Sequence, residues 1–198
     1  MLNSLKKLLI PLFLFLVMAQ SVWASSFGES SSSATGYQFA NHLLACSGPF
    51  ASPVGGGNVN SFTAYLSQDG GGAGTCVFGV YSNSSSLPNT KLYGGTATVN
   101  VPSSAGFVSS SGENYTLPSS STQVWLCEIC SNLSNEVYYF GAAGQNFAYS
   151  TATYPTWPTT YSGAGTTTGF PIIAANYTTS NGSGRILTNA VINNANLN

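Results

Sequence analysis

The sequence predicts an all-β chain folded as an antiparallel two-sheet β-sandwich, jelly-roll-like rather than a closed barrel. Three observations predict it. Runs of β-branched and aromatic residues alternate with Gly/Ser/Asn/Pro clusters at intervals of roughly 8–15 residues. Within the runs, apolar and polar residues alternate with a period of two, as half-buried antiparallel strands require. No segment sustains a 3.6-residue period over three helical turns.

The predicted strands are residues 37–46, 59–67, 76–82, 91–101, 123–129, 137–142, 146–150 and 170–177. In the first, residues 41–45 also suit a helical turn. In the second, Phe62, Ala64 and Leu66 share one face while Ser61, Thr63 and Tyr65 share the other. In the third, Cys76, Phe78 and Val80 share a face. The last is built on Pro171-Ile172-Ile173-Ala174-Ala175. Breaks fall at Asp69-Gly70-Gly71-Gly72, 84–89, 102–106 and 109–112, all rich in turn residues. No repeat of fixed period is present, which disfavours a solenoid or propeller.

Of 198 residues, about 174 remain once the first 24 are set aside, enough for one domain with a core. Hydrophobic residues make up 43% and charged residues only 5%, against roughly 25% in an average soluble domain. After residue 24 the cations are Lys91 and Arg185, and the acids are Glu29, Asp69, Glu113, Glu128 and Glu136. Phosphate binding needs clustered Lys and Arg, so a nucleic-acid face is excluded. Coiled coils need flanking charges and are excluded too. Polarity must come from Ser, Thr, Asn and Gly.

Residues 1–24 read as a secretory signal peptide. Lys6 and Lys7 precede an apolar stretch broken by Pro11, and Val22-Trp23-Ala24 suits cleavage before Ser25. The apolar run is about 12–15 residues, short of the roughly 18–20 a membrane span needs. The Leu43-Leu44-Ala45-Cys46 lipobox look-alike lies too far downstream to act as one. Residues 25–36 are expected to be a flexible Ser-rich leader, 37–179 the β-sandwich, and 180–198 a linker plus a β-prone tail. That tail, Arg185 to Ile192, has one charge and no Pro, so it must pack on its own sheet edge or self-associate on that of a neighbouring copy.

Two patches carry a resemblance. Val77-Phe78-Gly79-Val80-Tyr81-Ser82-Asn83 followed by Leu87-Pro88-Asn89-Thr90-Lys91-Leu92 resembles a strand–loop–strand of secreted jelly-roll modules in bacterial surface proteins and exoproteins. Leu133-Ser134-Asn135-Glu136-Val137-Tyr138-Tyr139 is similar to the turn before a late strand in those modules, with Asn135-Glu136 in place of the usual small-residue–Gly pair. The resemblance implies a non-catalytic β-sandwich that supports binding or display, and it transfers no catalytic residue.

Four cysteines in an exported chain predict two disulfides. Cys46–Cys76 with Cys127–Cys130 closes the shortest loops and is the expected pairing. It needs a turn or bulge at Glu128-Ile129, because residues three apart on a strand lie about 10 Å apart. Cys76–Cys127 with Cys46–Cys130 is the rival, on the view that Cys76 and Cys127 both face inward. A redox role for Cys127-x-x-Cys130 would need a helix after the motif, and zinc is disfavoured because oxidising export favours disulfides and the lone His42 is far away in sequence.

Catalysis has little material. His42 and Asp69 have no Gly-x-Ser-x-Gly elbow to serve. Glu113, Glu128 and Glu136 sit in no motif for paired-carboxylate glycoside hydrolysis. Asp69 beside three glycines reads as a turn rather than a calcium ligand. No enzyme activity, metal or cofactor is expected.

The most suggestive segment is 147–170, too long for a turn and too Pro-rich for a central strand. Tyr149, Tyr154, Trp157 and Tyr161 would stack on sugar rings if exposed, or cap the sandwich if packed. Sequons begin at Asn83, Asn114, Asn132, Asn176 and Asn181. The expected function is an exported carbohydrate-binding module acting at the cell surface, outside the cell or in the periplasm. The alternative is a structural subunit of a surface fibre, matrix or coat. Neither involves nucleic acid, nor a membrane once the signal is cleaved.

Overall fold

A computed structural model describes residues 24–31, 36–39, 43–68, 73–131, 135–140, 146–163, 165–168 and 170–179. The strands are β1 (Ala24–Gly28), β2 (Gly36–Phe39), β3 (Leu43–Ala51), β4 (Gly57–Gln68), β5 (Thr75–Ser84), β6 (Leu87–Gly94), β7 (Val99–Asn100) and β8 (Gly106–Ser109). They continue with β9 (Tyr115–Leu117), β10 (Gln123–Cys130), β11 (Asn135–Phe140), β12 (Asn146–Thr151), β13 (Gly165–Thr168), β14 (Phe170–Pro171) and β15 (Ile173–Thr178). One sheet runs β1-β15-β4-β11-β14, with β2 on β11 and with β8 and β9 on β4. The other runs β13-β12-β3-β10-β5-β6, with β7 on β5. Their pairings are antiparallel, and the two sheets pack as the predicted sandwich.

The core between the sheets follows the alternation of the sequence. Phe62, Ala64 and Leu66 of β4 meet Phe78 and Val80 of β5, Leu126 of β10 and Ile173 and Ala175 of β15. Phe62 and Phe78 stack at 5.9 Å. Burying such side chains contributes roughly 1.5–3 kcal/mol each.

The second sheet has a core on its other face as well. Leu44, Val77, Tyr81, Trp125, Ile129 and Ala148 form a separate cluster there. This decides the disulfides. Strand β10 lies between β3 and β5, with Cys127 opposite Cys46 and Cys130 opposite Cys76. The bonds are Cys46–Cys127 and Cys76–Cys130, each with Cα atoms 4.1 Å apart. Both expected pairings are therefore corrected. Cys127 and Cys130 lie three positions apart on one strand, an odd offset, so they point to opposite faces. Cys76 faces the inter-sheet core and Cys127 the outer cluster, so the rival pairing fails for the same reason.

Other boundaries differ too. The expected strand 37–46 is described as β2 and β3, and 91–101 pauses between Gly94 and Val99. Residues 170–177 divide at Ile172. Strands β8 and β9 are short edge pieces beside expected loops. Residues 25–28 of the expected leader, together with Ala24 at the end of the expected signal, form a strand paired along β15. Phe27 reaches the core edge and meets Tyr177 at 5.9 Å. Gly28, at φ +106°, has no room for a Cβ, which would lie 2.5 Å from the Ile173 carbonyl oxygen. The signal region 1–23 and the tail 180–198 lie outside the described residues.

Candidate functional site

The aromatic segment after β12 is a strap across the outer face of the second sheet. Gly79 and Gly94 leave a bare patch of backbone on β5 and β6, and the Trp157 indole fills it. A Cβ on Gly94 would lie 2.6 Å from the ring, and one on Gly79 2.9 Å. The indole N–H donates to the Gly95 carbonyl at 3.0 Å. Further bonds fasten the strap. The Tyr81 hydroxyl donates to the Pro158 carbonyl at 2.6 Å, and Lys91 Nζ donates to the Trp157 carbonyl at 3.4 Å. Tyr154 and Thr75 join their hydroxyls at 2.8 Å, and the Tyr161 hydroxyl donates to the Tyr149 carbonyl at 2.7 Å. The Lys91 amide bonds to Thr159 and the Tyr161 amide to Asn89, so the strap also covers the edge of β6. Burial pushes the Tyr81 and Tyr161 hydroxyls up to about 12, with Tyr149 adding to the effect on Tyr161.

Of the two readings of this segment, the packed one describes three of the four rings. Trp157 and Tyr161 are each 8% exposed, and Tyr154 is half-buried. Tyr149 alone of the four is exposed, at 37%, beside Phe147. The Trp157 ring lies on the Gly79 and Gly94 backbone, where a sugar ring would have to sit. The sequence signal for this was the glycines on the partner strands, which sequence reasoning left unused.

Two of the carboxylates, Glu113 and Glu128, lie inside. Glu128 shares the inter-sheet face of β10 with Leu126 and Cys130, and its register partners are Ala45 and Phe78. It is 1% exposed and neither oxygen has a hydrogen-bond partner. Burial alone pushes its pKa up to about 8. Glu113 is 4% exposed; its Oε2 accepts from the Tyr93 hydroxyl at 2.6 Å and its Oε1 has no partner. His42 and Asp69 lie outside the described residues. Among the described residues no three His, Cys, Asp or Glu side chains cluster as metal ligands.

An open groove of about 520 Å³ lies at one end of the sandwich, lined by Ser82, Leu92, Pro118 and Val124 among others. At its rim the Asn83 amide donates to Gln123 at 3.1 Å and accepts from the Trp125 indole at 2.9 Å. Asn176 is likewise engaged, donating to Ser61 and Thr63, and Asn114, though exposed, accepts from the Asn58 amide at 2.9 Å. Asn132 and Asn181 lie outside the described residues.

No protein-family model, curated protein or solved structure matches this chain.

Proposed function

We propose that the chain is an exported, non-catalytic β-sandwich that serves as a structural subunit of a surface fibre, matrix or coat. The observation that carries this reading is the near absence of surface charge. Only five acids and two cations follow residue 24, and Glu113 and Glu128 are buried. Copies of such a chain meet with little repulsion. Two disulfides fit an oxidising compartment, and no helix among the described residues is long and apolar enough to cross a membrane. With residues 1–24 read as a signal, that compartment is the cell surface, the periplasm or the medium.

An open strand edge supports this reading. Strand β1 pairs on one side only among the described residues, and it has no charge and no Pro to blunt its edge. A neighbour's residues 185–192 would extend the sheet there. The resemblance to secreted jelly-roll modules agrees with a display role. The carbohydrate-binding reading at the strap keeps Tyr149 as its exposed ring, and the other three rings serve packing.

The test is a sizing column followed by electron microscopy on the exported protein. Self-association that is lost on deleting residues 185–198 is the expected result. A monomer at high concentration, or an assembly that the deletion leaves unchanged, overturns the reading.

A further inference from the structure

The two sheets treat their outer faces differently. The second sheet is roofed by the strap, while the first exposes side chains across β1, β15, β4, β8 and β9. None of these five strands contains a charged residue. Their inward residues, such as Phe62, Ala64, Val108 and Ile173, belong to the core, so the alternating set faces out.

That outward set is a lattice of hydroxyls and amides with a ring at one margin. Thr63 and Ser109 are register partners whose hydroxyls bond at 2.9 Å. The Asn176 amide donates to both Ser61 and Thr63 at 3.0 Å, which leaves its oxygen as an acceptor. Asn58 donates to Asn114 at 2.9 Å on the neighbouring strand pair. One step along β4, Phe107 lies opposite Tyr65 with the rings edge to face at 4.9 Å. Phe107 is 45% exposed, one of the few large apolar side chains left in water among the described residues.

From this we infer that the outer face of the first sheet is a binding site for a neutral glycan, with Phe107 as the stacking ring and the Thr63–Ser109–Asn176 group as the hydrogen-bonding floor. The chemistry matches on three counts. A sugar ring offers an apolar C–H face to an aromatic side chain. Its hydroxyls both donate and accept, as the side chains of the floor do, and the floor is already ordered by its own bonds. These five strands carry no charge, so this part of the face suits an uncharged polymer better than an acidic one, and the acid nearest to it in the sheet register is Glu136 of β11, opposite Ser67. A second protein copy fits less well. Protein interfaces centre on apolar and aromatic side chains, and burying this many hydroxyls and amides is unfavourable unless each is paired. This inference goes beyond the structural role proposed above and does not depend on it.

The test uses the exported full chain in pull-down and titration against cellulose, chitin, xylan and an α-glucan, with alginate as an acidic control. Phe107→Ala should weaken binding to a neutral glycan about tenfold, the loss expected of one stacking ring by analogy with bases stacked on aromatics. Ser109→Asp, which puts a charge on the floor, should weaken it at least as much. Val54→Ser, on the exposed loop that leads into β4 and outside the Thr63–Ser109–Asn176 floor, should bind as the parent does. Disulfide content and thermal unfolding of each variant establish that the fold is kept. The inference is overturned if the parent binds no neutral glycan, if alginate is preferred, or if both face variants bind unchanged. It is also overturned if Tyr149→Ala abolishes binding while Phe107→Ala does not, which would return the site to the strap. Conversion of an oligomer to a monomer by Phe107→Ala, without glycan binding, would assign the face to a second copy instead.

Discussion

Replacing Glu128 by Gln should stabilise the protein above pH 5 and flatten its pH dependence. The side chain is buried between the sheets beside Leu126, Cys130, Ala45 and Phe78, and neither oxygen has a partner. Burial penalises the charged form and raises the pKa from 4.5 to about 8. At roughly 1.36 kcal/mol per pH unit, that gap corresponds to about 5 kcal/mol. The sign follows from proton binding. Between these two values the folded chain holds a proton that the unfolded chain has released, so stability falls as pH rises. The contribution is fully present below about pH 4.5, declines by about 1.4 kcal/mol per pH unit, and is lost above about pH 8. Gln has nearly the same shape and cannot ionise, so the variant should match the parent near pH 4 and exceed it by about 3 kcal/mol at pH 7. For a chain of this length that is a gain of roughly 6–12 °C in melting temperature. Guanidinium unfolding of both proteins from pH 4 to 9 measures it. Parallel stability curves across that range would refute the argument.

Other expectations follow from the same structure. Peptide mapping without reduction should recover Cys46 linked to Cys127 and Cys76 linked to Cys130, with no titratable thiol. A chain-entropy treatment assigns about 4 kcal/mol to each bridge, since they close loops of 81 and 54 residues, so Cys127→Ala with Cys46→Ala should show a loss of that order in denaturant. Trp157→Ala should cost about 3–5 kcal/mol, as a buried Trp truncation does, and an unchanged midpoint would show that the strap is not packed. Gly94→Ala should lower stability by about 1–3 kcal/mol, because its new methyl group meets the Trp157 ring. Gly106→Ala should be near neutral, since its nearest atom is 3.8 Å away. Equal effects at the two glycines would contradict the described packing.

The class of the fold is legible in the amino-acid pattern alone. Period-two alternation at Phe62, Ala64 and Leu66 specifies a strand with one buried face, whatever it packs against. Turn clusters placed most strand ends within a few residues, and four cysteines implied two bridges. Strand neighbours were decided only by tertiary structure. Nothing local in residues 123–130 says that they lie between 43–51 and 75–84, yet that order pairs the cysteines. Nor does alternation reveal that a sheet is buried on both faces, which is why Cys76 and Cys127 looked alike in sequence and point apart in the fold. The aromatic segment shows the same limit. Tyr154, Trp157 and Tyr161 have the composition of a binding loop, and whether they meet a ligand or their own sheet depends on Gly79 and Gly94, far away in the chain. Hydrophobic pattern is a property of neighbours along the backbone. Burial is a property of neighbours in space, and long-range antiparallel pairing alone brings those together.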